Sequence, residues 1–230
     1  MFSKLFILLS FLGAAFAPLC AAAQVAELRL GVSQFDEEII DFDTDRFGRA
    51  DETSIAISGE VLFEEPEFLK WAFSPQPYIG GSINLEGKTS FGGGGLLWRQ
   101  TFGKKVYGDF AAGVVIHDGT KNIELSEEGQ ALRLQIRQFE NFEDVPMDLL
   151  DALGAEVDER FAREGEEIEF GSRLLFRLQG AVGYNFNDDW SGEIYLEHLS
   201  NGSGNVLDGE TNGGVNEGVN ILGLRAARKF

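Results

Sequence analysis

One histidine and one serine stand two residues apart near the end of the segment from Ile194 to Asn201, which reads IYLEHLSN. In a β-strand, residues i and i+2 share a face and lie about 6.6 Å apart, so His198 and Ser200 point to the same side. At that distance an imidazole can lean over and accept the proton of a serine hydroxyl, which activates the serine as a nucleophile. A His-x-Ser pair also occurs often by chance, and the alternative is that both are ordinary polar residues at a rim.

A third polar residue with the right parity is Asn220, which shares its strand face with Leu222 and Leu224 in the last segment of the chain. If the segments 191–201 and 219–230 are antiparallel neighbours, Asn220 comes to lie beside His198 and Ser200. Glu217 is near in sequence but has the opposite parity, so it would need a bulge to reach His198.

The elements that must hold these residues are long strands, because eight segments alternate between apolar and polar residues with a period of two. The clearest runs from Ser172 to Phe186 and, at roughly 15 residues, exceeds the usual length of a soluble strand. The others cover 27–33, 54–63, 79–85, 91–101, 106–117, 191–201 and 219–230.

Eight long strands with one apolar face predict an all-β fold, an eight-stranded antiparallel outer-membrane barrel whose apolar face meets lipid. The terminal Phe230 resembles the end of barrels of this kind. Two connections fit less well: the periplasmic turn 64–76 is long and the outer loop 86–90 is short.

The alternative is a soluble lipocalin-like or sandwich barrel with its apolar face inward. The polar faces carry charges of both signs, expected to fill a narrow lumen or face solvent: Arg29, Glu60, Asp109, Arg173, Arg177 and Arg225.

Composition and the N-terminus limit the class of protein. Lys4, an apolar run from Leu5 to Ala17 and three alanines before Gln24 predict a signal peptide over 1–23, which leaves 24–230 as a single barrel domain. A formal charge of −19 argues against a nucleic-acid partner. One Cys and two His nearly exclude zinc, and no metal or cofactor is predicted.

The barrel pattern is interrupted by an acidic outer insertion, residues 118–170. After Asp144 and Pro146, apolar residues at helical spacing predict a short amphipathic helix: Met147, Leu150, Leu153, Val157 and Phe161. Before it, Leu132, Leu134 and Ile136 alternate with polar residues, which indicates an extra strand or an extension of the rim. The insertion is either a lid over a lipid substrate or a solvated elaboration, and we slightly prefer the second.

These motifs together resemble a known family. The order His198-x-Ser200-Asn201, a Gly-rich loop, Asn216-x-Gly218 and a final strand ending in Phe230 is similar to the PagL-type lipid A 3-O-deacylases, a group of acyloxyacyl hydrolases. The similarity extends to 74–84 and 171–176, and covers most of the chain after residue 23 except the insertion. It implies an eight-stranded outer-membrane barrel with a Ser-His-acid triad on its outer surface. This triad would hydrolyse the ester-linked acyl chain at the 3-position of lipid A.

Carried over by position, the resemblance implies Ser200 as nucleophile, His198 as general base, and Asn201 or Asn216 as oxyanion donor. Where the best-known members have Glu, this chain has Asn220, which can orient an imidazole but stabilises an imidazolium less than a carboxylate does. Our first choice for the third member is Asn220 and our second is Glu217.

The partners that the resemblance implies are lipopolysaccharide or lipid A and other outer-membrane lipids. The net charge argues against nucleic acid, and no cofactor is expected. Whether the protein forms a homodimer is left open. The alternative function is a non-catalytic small outer-membrane barrel with a structural or adhesive role, which the Asn at position 220 favours. A soluble lipid-binding barrel is the third reading.

Overall fold

A computed structural model describes residues 24–35, 54–121, 124–139, 145–164, 168, 170–201 and 218–230. Eight antiparallel strands form a closed barrel in sequence order, and the last strand pairs with the first. The predicted eight-stranded barrel is confirmed. The predicted signal peptide lies outside the described residues, as do Asn216 and Glu217. The strands are β1 Val25–Phe35, β2 Ser54–Phe63, β3 Gln76–Asn84, β4 Phe91–Phe102, β5 Val106–His117, β6 Leu174–Asn185, β7 Trp190–Ser200 and β8 Val219–Lys229.

The alternation in the sequence becomes an outward apolar face and an inward polar face. Leu30 and Val32 on β1 point outward and are more than half exposed, as are Val182 on β6 and Leu224 on β8. The inward residues between them are buried, among them Arg29. A lipocalin-like soluble barrel would need the reverse facing, because water would then meet the polar side chains. The continuous apolar exterior is the arrangement of a barrel surrounded by lipid.

Buried ion pairs fill the middle of the barrel. Arg29 lies 2.6 Å from both Glu27 and Asp109. Glu60 accepts hydrogen bonds from Arg177 at 2.5 Å and Arg225 at 2.7 Å. Charged side chains that are buried away from water need partners of this kind. The residues named here come from five different strands. The predicted lumen of paired charges is therefore present.

Arg173 is the exception among the charges expected on the polar face. β6 begins at Leu174, so Arg173 falls before the ladder, where the strand parity no longer decides its direction. Its side chain is exposed and donates a hydrogen bond to the carbonyl of Gly119 at the root of the insertion.

An apolar cluster closes the upper end of the barrel, defined as the end where β1, β3, β5 and β7 finish. Inward side chains from the strands, such as Phe35 and Leu199, pack there with Ile168 and Phe170 of the insertion. Phe170 is fully buried, and its backbone N–H donates to the carbonyl of Thr120. The insertion is thus tied into the mouth of the barrel at its root.

The described part of the insertion contains two helices, α1 Glu127–Ile136 and α2 Met147–Glu164. The predicted helix from Met147 is confirmed as α2, but the expected extra strand is wrong because α1 occupies its place. Ser126 caps α1 by accepting a hydrogen bond from the Gly129 N–H at 3.0 Å, and it also donates to Glu156 of α2. Three alternating apolar residues were too short a run to outweigh a capped helix start. No helix in the described part of the chain is long and apolar enough to cross a membrane.

Candidate active site

The upper ends of β7 and β8 bring the predicted residues onto one patch of the outer wall. The pairing runs without interruption from Trp190–Arg228 to Leu199–Val219, and it sets His198 directly opposite Asn220. Because both strands alternate with a period of two, His198, Ser200 and Asn220 all point outward. His198 is exposed, and the other two are half-buried.

A hydrogen bond of 2.9 Å joins His198 Nδ1 to Asn220 Oδ1. An amide oxygen can only accept, so Nδ1 carries a proton, and in the neutral ring Nε2 then keeps its lone pair. This is the tautomer that a general base needs when it takes a proton from serine. Asn220 therefore orients the imidazole through this hydrogen bond.

Because Gly218 has no side chain, the imidazole of His198 can lie against its backbone. A Cβ added at Gly218 would lie 2.6 Å from His198 Cε1, which is closer than real Cβ contacts come, and a tight 3.0 Å from Nε2. Continuing the register one pair beyond Leu199–Val219 sets Gly218 opposite Ser200. The Cε1–Nε2 edge of the ring thus lies on the side of Ser200. Our sequence reasoning missed this role, although the Asn-x-Gly part of the motif was its signal.

Within the described part of the chain, Ser200 Oγ and His198 share no hydrogen bond. The two side chains are i and i+2 neighbours on one face, so rotation about their side-chain bonds can close the gap. Catalytic hydrogen bonds are often long without substrate and tighten when it binds. The arrangement holds an imidazole oriented by Asn220 on the same face as the outward hydroxyl of Ser200.

Asn201 lies in a different direction from the one expected of an oxyanion donor. Its side chain is 2% exposed and donates a 2.9 Å hydrogen bond to the carbonyl of Phe170, inside the mouth. Strand parity continues one residue past Ser200, so neighbours 200 and 201 face opposite sides. In this conformation the Asn201 amide ties the end of β7 to the root of the insertion.

The wall below the site is apolar. Ile194 and Leu196 on β7 point outward, as do Leu222 and Leu224 on β8, and Ile194 is half exposed. Groups of His, Cys, Asp or Glu that could hold a metal ion do not occur among the described residues.

The family model described as Lipid A 3-O-deacylase (PagL) matches residues 157–228, a range that includes β6, β7 and most of β8. Two similar solved structures are the outer membrane enzyme PagL and Neisserial surface protein A (NspA). The first has a TM-score of 0.45 and 10% identity, and the match covers 88% of this chain and 99% of that chain. The second has a TM-score of 0.46 and 7% identity, and the match covers 91% of this chain and 99% of that chain. A search of curated proteins found no match. The family match confirms, over residues 157–228, the resemblance to the PagL-type lipid A 3-O-deacylases.

Proposed function

We propose that the protein is an outer-membrane serine esterase that removes the ester-linked acyl chain at the 3-position of lipid A. The observation that carries this proposal is the His198–Asn220 hydrogen bond on the outward face, beside Ser200. It leaves Nε2 free to act as a base toward a substrate that approaches from the surrounding lipid. The family match supports lipid A as the substrate class.

The proposed location follows from the barrel wall. Its exposed apolar side chains favour a place in the outer membrane, with the upper end outside and residues 1–23 removed as a signal peptide. The patch of His198 and Ser200 then lies where the outer leaflet has its glucosamine headgroups and the first carbons of its acyl chains. Lipopolysaccharide and neighbouring outer-membrane lipids are the partners that this position offers.

The proposed reaction has two halves. His198 Nε2 takes the proton of Ser200 as Oγ attacks the ester carbonyl, and it returns that proton to the departing sugar hydroxyl. This leaves an acyl group on Ser200. In the second half, a water gives its proton to His198 and attacks the acyl-enzyme, and His198 then reprotonates Ser200 as the fatty acid leaves. Asn220 accepts the hydrogen bond from Nδ1–H in the neutral and the protonated ring alike.

The charge that develops on the carbonyl oxygen needs a donor on the outward side. We propose Asn216 for this part, on the strength of its place in the Asn-x-Gly motif. Asn201 is the second choice, because it would have to release the Phe170 carbonyl and turn outward. Glu217 is likewise the second choice behind Asn220 for orienting the imidazole.

The experiment is mass spectrometry of lipid A after incubation with the detergent-purified protein, beside Ser200→Ala. Loss of one hydroxyacyl mass by the wild type alone supports the esterase and its nucleophile. No loss from any lipid A, by a protein whose heat-modifiable mobility shows a folded barrel, would favour the alternative of a non-catalytic structural or adhesive barrel. The feature that favours this alternative is the amide at position 220, where a carboxylate would stabilise the imidazolium better.

A further inference from the structure

The connection between β2 and β3, at the lower end of the barrel, exposes three large aromatic side chains. It contains a 3-10 helix, Glu67–Ala72, followed by Phe73. Phe68 is 61% exposed, Trp71 81% and Phe73 90%. We call residues 67–73 the aromatic segment. Three large apolar side chains close together on a surface mark a contact with something apolar.

The aromatic segment is held against the outer wall of the barrel. Trp98 on β4 points outward, and its indole N–H donates a 2.8 Å hydrogen bond to the carbonyl of Ala72. The Trp98 ring in turn lies 6.0 Å from the ring of Phe110, an outward residue of β5 that is about half exposed. The segment therefore continues the apolar exterior and does not lie across the opening of the barrel.

The backbone at the end of the segment is turned in an unusual way. Phe73 has a φ of 65° and Ser74 a φ of 51°, a left-handed conformation that residues with a Cβ rarely adopt. Left-handed residues end helices and redirect the chain. Here the turn leaves Phe73 almost fully exposed instead of tucking its ring onto the barrel. Such a conformation costs free energy, so a compensating contact for Phe73 is expected.

The neighbouring residues at the lower end are of the kind found at membrane interfaces. All three tryptophans of the chain lie there, since Trp190 starts β7 just above a short turn. Arg228 lies 5.7 Å from the Trp190 ring and Lys105 lies 5.4 Å from the Tyr184 ring. Aromatic rings beside Lys and Arg concentrate where acyl chains meet headgroups.

We propose that the aromatic segment is a lipid-interface anchor, which lies in the phospholipid headgroup region at the lower end of the barrel. Phe68, Trp71 and Phe73 insert among the first carbons of the acyl chains. Lys70, which lies between them and pairs with the exposed Glu67 at 2.6 Å, lies at the level of the phosphates. The occupant of this surface is thus phospholipid. The inference rests on the proposed membrane placement and is independent of the esterase site at the upper end.

The test uses the environment of Trp71 in the full chain, reconstituted into vesicles of phosphatidylethanolamine and phosphatidylglycerol. Subtracting the fluorescence of the W71F/W190F protein from that of W190F isolates Trp71 and keeps Trp98 with its bond to Ala72. We expect Trp71 emission to be blue-shifted, to be lost in vesicles with brominated acyl chains, and to resist iodide present on both sides of the bilayer. Both leaflets are brominated, so the direction of insertion does not matter.

Red-shifted Trp71 emission that iodide quenches and bromine does not would overturn the proposal and leave the segment facing water or a protein partner. The control is W71F, which retains Trp98 and Trp190 and should lose emission in brominated vesicles in either case. Heat-modifiable mobility checks that each variant is folded. Deacylation of lipid A by W71F is expected to equal that of the wild type. Failure of the wild type to deacylate, with Trp71 still quenched, would count against the esterase alone.

Discussion

Asn220 on β8 and Gly218 just before this strand determine where the imidazole of His198 lies. The Asn220 amide oxygen accepts a hydrogen bond from Nδ1–H, and Gly218 leaves open the space beside Cε1 and Nε2. The two contacts determine the tautomer and the position of the ring, and a base must have both correct before its basicity matters. The candidate site therefore depends on the first residues of β8 as much as on the His-x-Ser pair of β7.

Substitutions of Asn220 should change the rate of deacylation. Asn220→Ala removes the acceptor of the Nδ1 proton, so kcat for lipid A should fall about tenfold to a hundredfold as the ring loses its orientation. Asn220→Asp should raise kcat about fivefold, because a charge-assisted hydrogen bond to the imidazolium is roughly 1 kcal/mol stronger than a neutral one. Mass spectrometry of released hydroxyacyl chains measures both. Full activity in Asn220→Ala combined with its loss in Glu217→Gln would assign the third role to Glu217.

A side chain at position 218 should displace the imidazole of His198. In Gly218→Ala the new Cβ would meet Cε1 at 2.6 Å, so the imidazole must move off the side of Ser200. We expect kcat to fall about a hundredfold, the scale of a 1 Å misplacement. The matched control is Gly180→Ala on β6, where an added Cβ meets nothing within 4 Å. Equal activity of the two variants would show that the ring does not act from this position.

At the scale of elements, the root of the acidic insertion is part of the barrel. Phe170 is fully buried in the upper apolar cluster, and its carbonyl accepts from the Asn201 amide at the end of β7. The N–H of Gly171 donates to the carbonyl of Lys121, which closes the two arms of the insertion against each other. The helices α1 and α2 are thus carried on a fixed base beside the candidate site.

Truncation of Phe170 should weaken the attachment of the insertion to the barrel. Phe170→Ala empties a buried aromatic position and should lower the free energy of unfolding by about 3 to 5 kcal/mol. Leu134→Ala on α1, where the side chain is mostly exposed, should change it by less than about 0.5 kcal/mol. Urea unfolding in lipid vesicles gives both values. A similar small change in both variants would mean that the insertion is not anchored through Phe170.

At the scale of the whole molecule, ion pairs inside the barrel connect strands that are far apart in sequence. Glu60 on β2 accepts from Arg177 on β6 and Arg225 on β8, while Arg29 on β1 contacts Asp109 on β5. Each carboxylate is shared, so removal of one leaves several guanidinium groups without a full set of acceptors.

Glu60→Gln is expected to destabilise the barrel by about 3 to 5 kcal/mol, because it breaks a buried charge network from one side. The control is Glu67→Gln, which removes a pair with Lys70 that is largely exposed and worth about 0 to 1 kcal/mol. Urea unfolding in vesicles, followed by heat-modifiable mobility, measures the difference. Comparable stability of Glu60→Gln and wild type would mean that the network does not stabilise the folded barrel.

The amino-acid order alone determined the strands and which residues share a strand face, whereas the choice of the outward face needed the exposure of the side chains in the barrel. A period of two is a local property, and it predicted the bounds of β2 and β5 together with the common face of His198 and Ser200. The helix from Met147 was also predicted from the sequence, because its apolar residues recur at helical spacing over several turns.

Only the tertiary structure decided most of the contacts. The sequence placed Asn220 beside His198 on the condition that the two segments pair, and the register between β7 and β8 then fixed that contact and brought Gly218 to the ring. The burial of Asn201 against Phe170 joins residues separated by the β6–β7 hairpin, and the Trp98–Ala72 bond folds the aromatic segment onto the wall. Local patterns specify the direction of a side chain, whereas its partner is selected by the packing of the whole chain.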